Sequence, residues 1–231
     1  MFLKWIAKLG LFTIFSGNLL FGSILDERQA LETTGIALKD LKICHQNAWK
    51  NLSIFIEYQL EPNKEELDPK CLKNYVKTFL SQYKNFEDFW EIMNKTIVKW
   101  IAKDFPDIQT IKSTFYLKPD KIVLFTRFST VYFDESDHKF IETFGYEKEN
   151  FAICNETFKS MNLSVSWEFK EPTSPKDYFD FQDMDAQITQ FFKENPLCFS
   201  KWENLKPKLE KQLQEKFKSI NKVTVDITLV N

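Results

Sequence analysis

The chain has 231 residues, 43% of them hydrophobic and 28% charged, a balance that supports a buried core and excludes a disordered polymer. Its 24 Phe against 5 Gly and 8 Pro leave little material for glycine-rich phosphate loops, so a nucleotide-binding loop is not expected. With 31 basic and 33 acidic side chains it carries a net charge of −2 and lacks the positive field that draws proteins to nucleic acid; the lysines between 206 and 218 are interleaved with Glu210 and Glu215 and read as a solvated helix face.

The chain opens with Lys4 and Lys8 and no acid, continues through an apolar stretch from Leu9 to Phe21, and reaches small residues at Gly22 and Ser23 before the first acid, Asp26. That order is the plan of a secretory signal peptide, and the apolar run of about 13 residues falls short of the roughly 20 that span a bilayer as a helix. Residues 1–23 are therefore expected to be a signal peptide or an N-terminal anchor. The protein is expected to be exported, secreted or periplasmic, and to meet a membrane only through this segment if it stays uncleaved.

Beyond it, strict alternation marks half-buried strands. Leu52, Ile54, Ile56 and Tyr58 fall on one face of Asn51–Tyr58, and Leu163, Val165, Trp167 and Phe169 do the same about 111 residues later, in a segment that repeats the Asn-Leu-Ser opening. Two helical stripes follow each strand. Leu72, Val76, Phe79 and Tyr83 precede Phe86, Phe89, Trp90, Met93, Ile97 and Ile101 in the first copy; Phe181, Met184, Ile188 and Phe191 precede Trp202, Leu205, Leu209 and Leu213 in the second. Alternation then returns at Ile111–Leu117 and Val223–Leu229, with a further strand expected within Ile122–Phe133 of the first copy only. The fold class is α+β: two tandem ββααβ(β) units, 35–134 and 138–231, each an antiparallel sheet with a helix pair packed on one face. The second unit is short by one strand, an asymmetry that favours binding or assembly over catalysis.

Export would allow disulfides, and Cys44, Cys71, Cys154 and Cys198 are the candidates, with three connectivities open and buried free thiols as the alternative. None forms a CxxC or CxxH pair, so no metal site and no cofactor is expected. Of the four glycosylation sequons, at Asn51, Asn94, Asn155 and Asn162, each matters only in a eukaryotic secretory pathway.

Paired antiparallel strands, two consecutive amphipathic helices and further strands, duplicated in one chain, resemble the tunnelling-fold (T-fold) superfamily in its urate oxidase form, by element order. That family also holds pterin synthases, dihydroneopterin aldolase and GTP cyclohydrolase I. The resemblance implies helices on one sheet face, sheets joined across subunits into a barrel, and purine or pterin ligands at subunit interfaces held by a Glu or Gln. The chain departs from the family's chemistry: His45 and His138 cannot supply the three zinc-binding histidines of pterin synthases, and the catalytic threonine and lysine of urate oxidases find no matching positions.

Three acids are ligand-binding candidates. Glu57 and Glu168, equivalent by the repeat, belong to the sheet face away from the helices, where a carboxylate can accept two N–H groups of a heterocycle; solvent-facing residues beside lysines are the bland alternative. Glu142, in the alternating stretch Phe140–Tyr146, precedes Thr143 as in a Glu-Thr pair of pterin-binding enzymes. His138 is expected in a hairpin after an acidic turn, His45 in the core or at a strand end, and Trp90 and Trp202 as paired core anchors. No catalytic set emerges. The expected role is an exported binding or assembly module with a protein partner or second copy on the open face that carries Phe55, Tyr116, Phe125 and Phe133; the alternative is a purine- or pterin-type enzyme with its site at a subunit interface.

Overall fold

The computed structural model describes residues 34–83, 88–152, 160–171, 173–196 and 201–230. The N-terminal segment, Phe86, Cys154, Asn155 and Cys198 lie outside the described residues. Seven strands, β1 (Gly35–His45), β2 (Ala48–Leu60), β3 (Ile108–Leu117), β4 (Thr126–Asp134), β5 (Lys139–Ala152), β6 (Ser160–Phe169) and β7 (Ile220–Val230), form one antiparallel sheet in chain order. Helices α1 (Pro69–Gln82) and α2 (Trp90–Asp104) lie between β2 and β3, and α3 (Phe181–Glu194) and α4 (Trp202–Lys216) between β6 and β7. The order is ββααββ followed by ββααβ.

Local chemistry sets the element boundaries. Asp68 caps α1 by accepting from Lys70 N at 2.9 Å, with Pro69 in the first turn, and Asp180 caps α3 through Gln182 N at 2.9 Å. Gln46 and Asn47 have φ of 50° and 60°, the left-handed pair that closes a two-residue hairpin between β1 and β2. Alternation then sends every second strand residue to one face: Leu52, Ile54, Ile56 and Tyr58 from β2, Ile111, Phe115 and Leu117 from β3, Leu163, Val165, Trp167 and Phe169 from β6. All are buried with the apolar stripes of the helices in a single core. Each such side chain withdrawn from water stabilises the fold by roughly 1.5–3 kcal/mol.

The register of β4 corrects part of the expected open face. Phe133 is buried on the helix side, and Phe125 packs on Tyr146 and Phe181; Phe128 is the residue that joins Tyr116 on the opposite face. The strand places Arg127 and Ser129 on the core face among its apolar neighbours, so parity read from hydrophobicity alone is ambiguous there. The sequon at Asn94 is closed, since Asn94 is fully buried and its Nδ2 donates to the carbonyls of Ser113 and Ser129. Cys44 and Cys71 are free and exposed. No helix among the described residues is long and apolar enough to cross a membrane.

Candidate functional site

α2 lies across β3, β4 and β5, while α4 covers β7. Between the two helix pairs, at the seam where β4 of the first unit meets β5 of the second, the helix-covered face opens into a cavity of about 160 Å³. Its wall comes from both units: His45, Lys50, Trp90, Glu91 and Arg127 from the first, Phe144 and Phe179–Gln182 from the second. Gln46, Ile122, Asp180 and Gln182 are exposed and form the mouth; His45, Glu91 and Arg127 are buried and line the interior.

The backbone explains this grouping. His45 ends β1 just before the tight hairpin, where it stacks on the Trp90 ring at 3.7 Å and 12° and hydrogen-bonds the Asp88 main chain. Gln46 Nε2 reaches the Asp88 carbonyl at 3.2 Å, tying hairpin to helix. Trp90 and Glu91 are the first two residues of α2, whose N-terminus has no side-chain cap. Arg127 projects from β4 onto the core face, with its guanidinium over the Phe181 ring at 4.8 Å.

Burial sets the protonation states. Loss of solvent, reinforced by the Arg127 and Lys50 charges, pushes His45 down to about 4, so its ring is neutral at physiological pH. Loss of solvent pushes Glu91 up to about 8, against a hydrogen bond from its own main-chain N–H and with the Glu142 charge adding to the rise, so this carboxyl holds its proton at pH 7. Arg127 remains cationic, yet its Nε and Nη2 have no hydrogen-bond acceptor, and neither does His45 Nε2 have a partner. Asp120, the nearest acid to Arg127 at 4.0 Å, is occupied by Lys50 at 2.5 Å and by the amides of Ile122 and Val123. Against the upward push of partial burial, the Lys50 ion pair and these amide hydrogen bonds hold the Asp120 carboxyl down at about 2. The cavity thus offers unused donors, one unused acceptor and a protonated carboxyl between aromatic walls.

The three acids singled out in the sequence fall elsewhere. Glu57 and Glu168 lie on the open face, and each faces a lysine across the ladder, Lys112 and Lys222; Glu57 pairs with Lys112 Nζ at 3.2 Å, and Glu168 accepts from Asn221 at 2.6 Å. Glu142 is buried on the helix side beside the cavity, but both oxygens are engaged, one by Lys95 and one by the Tyr178 hydroxyl at 2.5 Å. It pins α2 and the β6–α3 linker to β5. His138 sits in the β4–β5 hairpin with φ of 52°, exposed and near Glu135. Trp90 is buried in the cavity wall, whereas its repeat mate Trp202 is only half-buried against Phe192. Among the described residues no cluster of His, Cys, Asp or Glu is arranged to hold a metal.

Glu91 and Arg127 were legible only faintly. Glu91 follows Trp90 in the apolar stripe of a helix's first turn, where an acid is ordinarily explained by the helix dipole. Arg127 and Arg28 are the only arginines beside many lysines. A guanidinium in alternation with Phe125, Val131 and Phe133 is the stronger signal of the two.

The element order, the single sheet and the helix pairs on one face define a tandem tunnelling fold. Solved structures with this arrangement include urate oxidases. A hyperthermostable mutant of the Bacillus sp. TB-90 urate oxidase superposes with a TM-score of 0.61 at 11% identity, over 85% of this chain and 87% of that one. Another structure of the TB-90 enzyme gives 0.59 at 13% identity over 78% and 77%, and a uricase from Bacillus fastidious gives 0.59 at 11% over 84% and 80%. No protein-family model matches the chain, and no curated protein matches it.

Proposed function

We propose that this protein handles a small heterocycle of the purine or pterin kind, and that the ligand enters the cavity at the seam of its two units. The observation that carries this reading is Glu91: a buried, protonated carboxyl between aromatic rings, beside a neutral His45 acceptor and the Arg127 donors. A carboxyl group matches the adjacent N–H and C=O groups along a lactam edge, and a Glu or Gln holding the heterocycle is what resemblance to the tunnelling fold implies. The likeness to urate oxidases supports this enzyme-type reading over the non-catalytic module favoured by the sequence.

A cavity near 150 Å³ holds one benzene ring. A bicyclic ligand therefore enters ring-first and leaves its second ring at the mouth, beside Gln46 and Gln182. The two units of one chain here take the place of two subunits. Homo-oligomerisation is a further part of the proposal, through the outer edges of β1 and β7, to be checked by sedimentation velocity. Export rests on the N-terminal segment, and N-terminal sequencing of the mature protein tests it.

The direct test is thermal unfolding of the purified chain with hypoxanthine, xanthine, urate and neopterin. A ligand present at about 100 times its Kd stabilises by roughly 2.7 kcal/mol, or about 5–10 °C in Tm for a domain of this size. No shift with any of the four at millimolar concentration, in the wild-type protein, would remove the reading. Disappearance of the ligand's absorbance on incubation then separates turnover from binding.

A further inference from the structure

We propose that the seam cavity selects its ligand as a planar anion, with the negative charge held between the Arg127 guanidinium and the uncapped N-terminus of α2. This deepens the heterocycle reading by specifying the ligand's charge, and it rests on the same cavity.

Two independent features converge there. Arg127 is a side chain only 6% exposed, set in the cavity wall, with two donor nitrogens lacking an acceptor. A buried cation is retained when a partner repays its desolvation; of the three acids that act on it, Glu91 holds its proton and the other two are engaged elsewhere. Asp120 is bound by Lys50 and two amides, and Asp180 caps α3. The second feature is α2 itself. Its N-cap position is Phe89, which has no side chain able to accept from the first-turn amides, and its first residues Trp90 and Glu91 line the cavity. The positive end of a helix dipole favours an anion.

Apart from the Asp180 carboxylate at the mouth, the titratable groups in the wall do not oppose a negative ligand. Lys50 is a second cation in the wall, and His45 is an uncharged acceptor. Glu91 holds a proton, which makes it a donor to the ligand rather than a competing negative charge. The aromatic walls, Trp90, Phe144, Phe179 and Phe181, restrict the occupant to a flat ring. The class that fits is a planar ring with charge delocalised over adjacent oxygen or nitrogen atoms, either a deprotonated heterocycle or a ring carboxylate.

Calorimetric titration of the full chain at pH 7.5 with two matched pairs tests this: urate against hypoxanthine, and orotate against uracil. The first member of each pair is anionic and the second neutral. The expected result is that the anion binds at least about tenfold more tightly in one pair or both, as a charge-assisted hydrogen bond predicts. Arg127→Gln is expected to bring that ratio close to one. Preference for urate supports both the purine reading and the anion; preference for orotate alone supports the anion and removes the purine reading. Neutral members that bind as tightly as the anions overturn the anion proposal and leave the heterocycle reading standing. Failure of all four ligands overturns both. The wild-type ratio decides the matter even if Arg127→Gln does not fold.

Discussion

Glu91→Gln isolates the energetic consequence of burying a carboxyl at the start of α2. In the unfolded chain Glu91 ionises near 4.5; in the folded protein it does so near 8. Below 4.5 both states hold the proton and the group has no pH-dependent effect. Between the two values the unfolded state gains from ionisation while the folded state does not, so stability falls as pH rises, by 1.36 kcal/mol per unit. Across the window this approaches roughly 5 kcal/mol, and it levels off above pH 8. The amide that Glu91→Gln introduces does not titrate. Every other group is common to both proteins, so the difference between their stability curves reports this residue. Urea unfolding at pH 5, 6, 7 and 8, with unchanged m values, is expected to show the variant gaining on the wild type by at least about 2 kcal/mol between pH 5 and pH 8. A difference that stays flat within about 0.5 kcal/mol, which is the scatter of such comparisons, would refute the protonated-carboxyl account of the site.

The opposite sign is expected at His45, whose folded value lies below the unfolded one: its neutral burial stabilises above pH 6.5 and that stability is lost as pH falls toward about 4. His45→Phe keeps a ring on Trp90 and should flatten that acid limb; curves that remain parallel from pH 7 to pH 4.5 would contradict the assignment. A Cβ at Gly145 would lie 2.4 Å from the Val165 carbonyl and 2.4 Å from Phe128 Cζ, and the carbonyl belongs to the paired strand β6. Gly145→Ala should therefore destabilise by roughly 2–3 kcal/mol in urea titration; a loss below about 0.5 kcal/mol would mean that β5 and β6 separate more easily than their ladder implies. Trp90→Ala should cost on the order of 3–5 kcal/mol and Trp202→Ala about half as much, since only the first is buried. Equal losses in calorimetry would show the two units to be packed alike.

The scaffold was legible because burial on one face imposes simple periods. Leu163 to Phe169 alternate without exception, Leu52 to Tyr58 with Phe55 as the one apolar residue on the other face, and the helix stripes recur at spacings of three and four, so both units and their order follow from the chain. The parity of β4 failed where Arg127 and Ser129 interrupt the apolar set, and those polar residues are there because the strand runs beneath a cavity and beneath Asn94. The buried polar residues of the site come one each from three separate elements, which leaves no spacing to detect. His45 terminates a strand, Glu91 begins a helix, Arg127 interrupts a third element, and Phe181 lies far along the chain. Glu57 and Glu168 stood out because the repeat duplicates them, but duplication here preserves a cross-strand pair with Lys112 and Lys222.

The seam explains why the polar residues gather where they do. Within each unit a helix pair covers strands of that unit with apolar side chains. Where β4 meets β5 the sheet is continuous, and α2 of the first unit reaches across onto β5 but leaves a gap at its N-terminal end. Lys95, Glu142 and Tyr178 close one stretch of that gap with a fully engaged network, which is the arrangement in which buried charges are tolerated. Arg127, Glu91 and His45 occupy the neighbouring stretch with donors and an acceptor left over. Two polar groups in one seam, one satisfied and one not, separate the part that joins α2 and the β6–α3 linker to β5 from the part we propose as the ligand site.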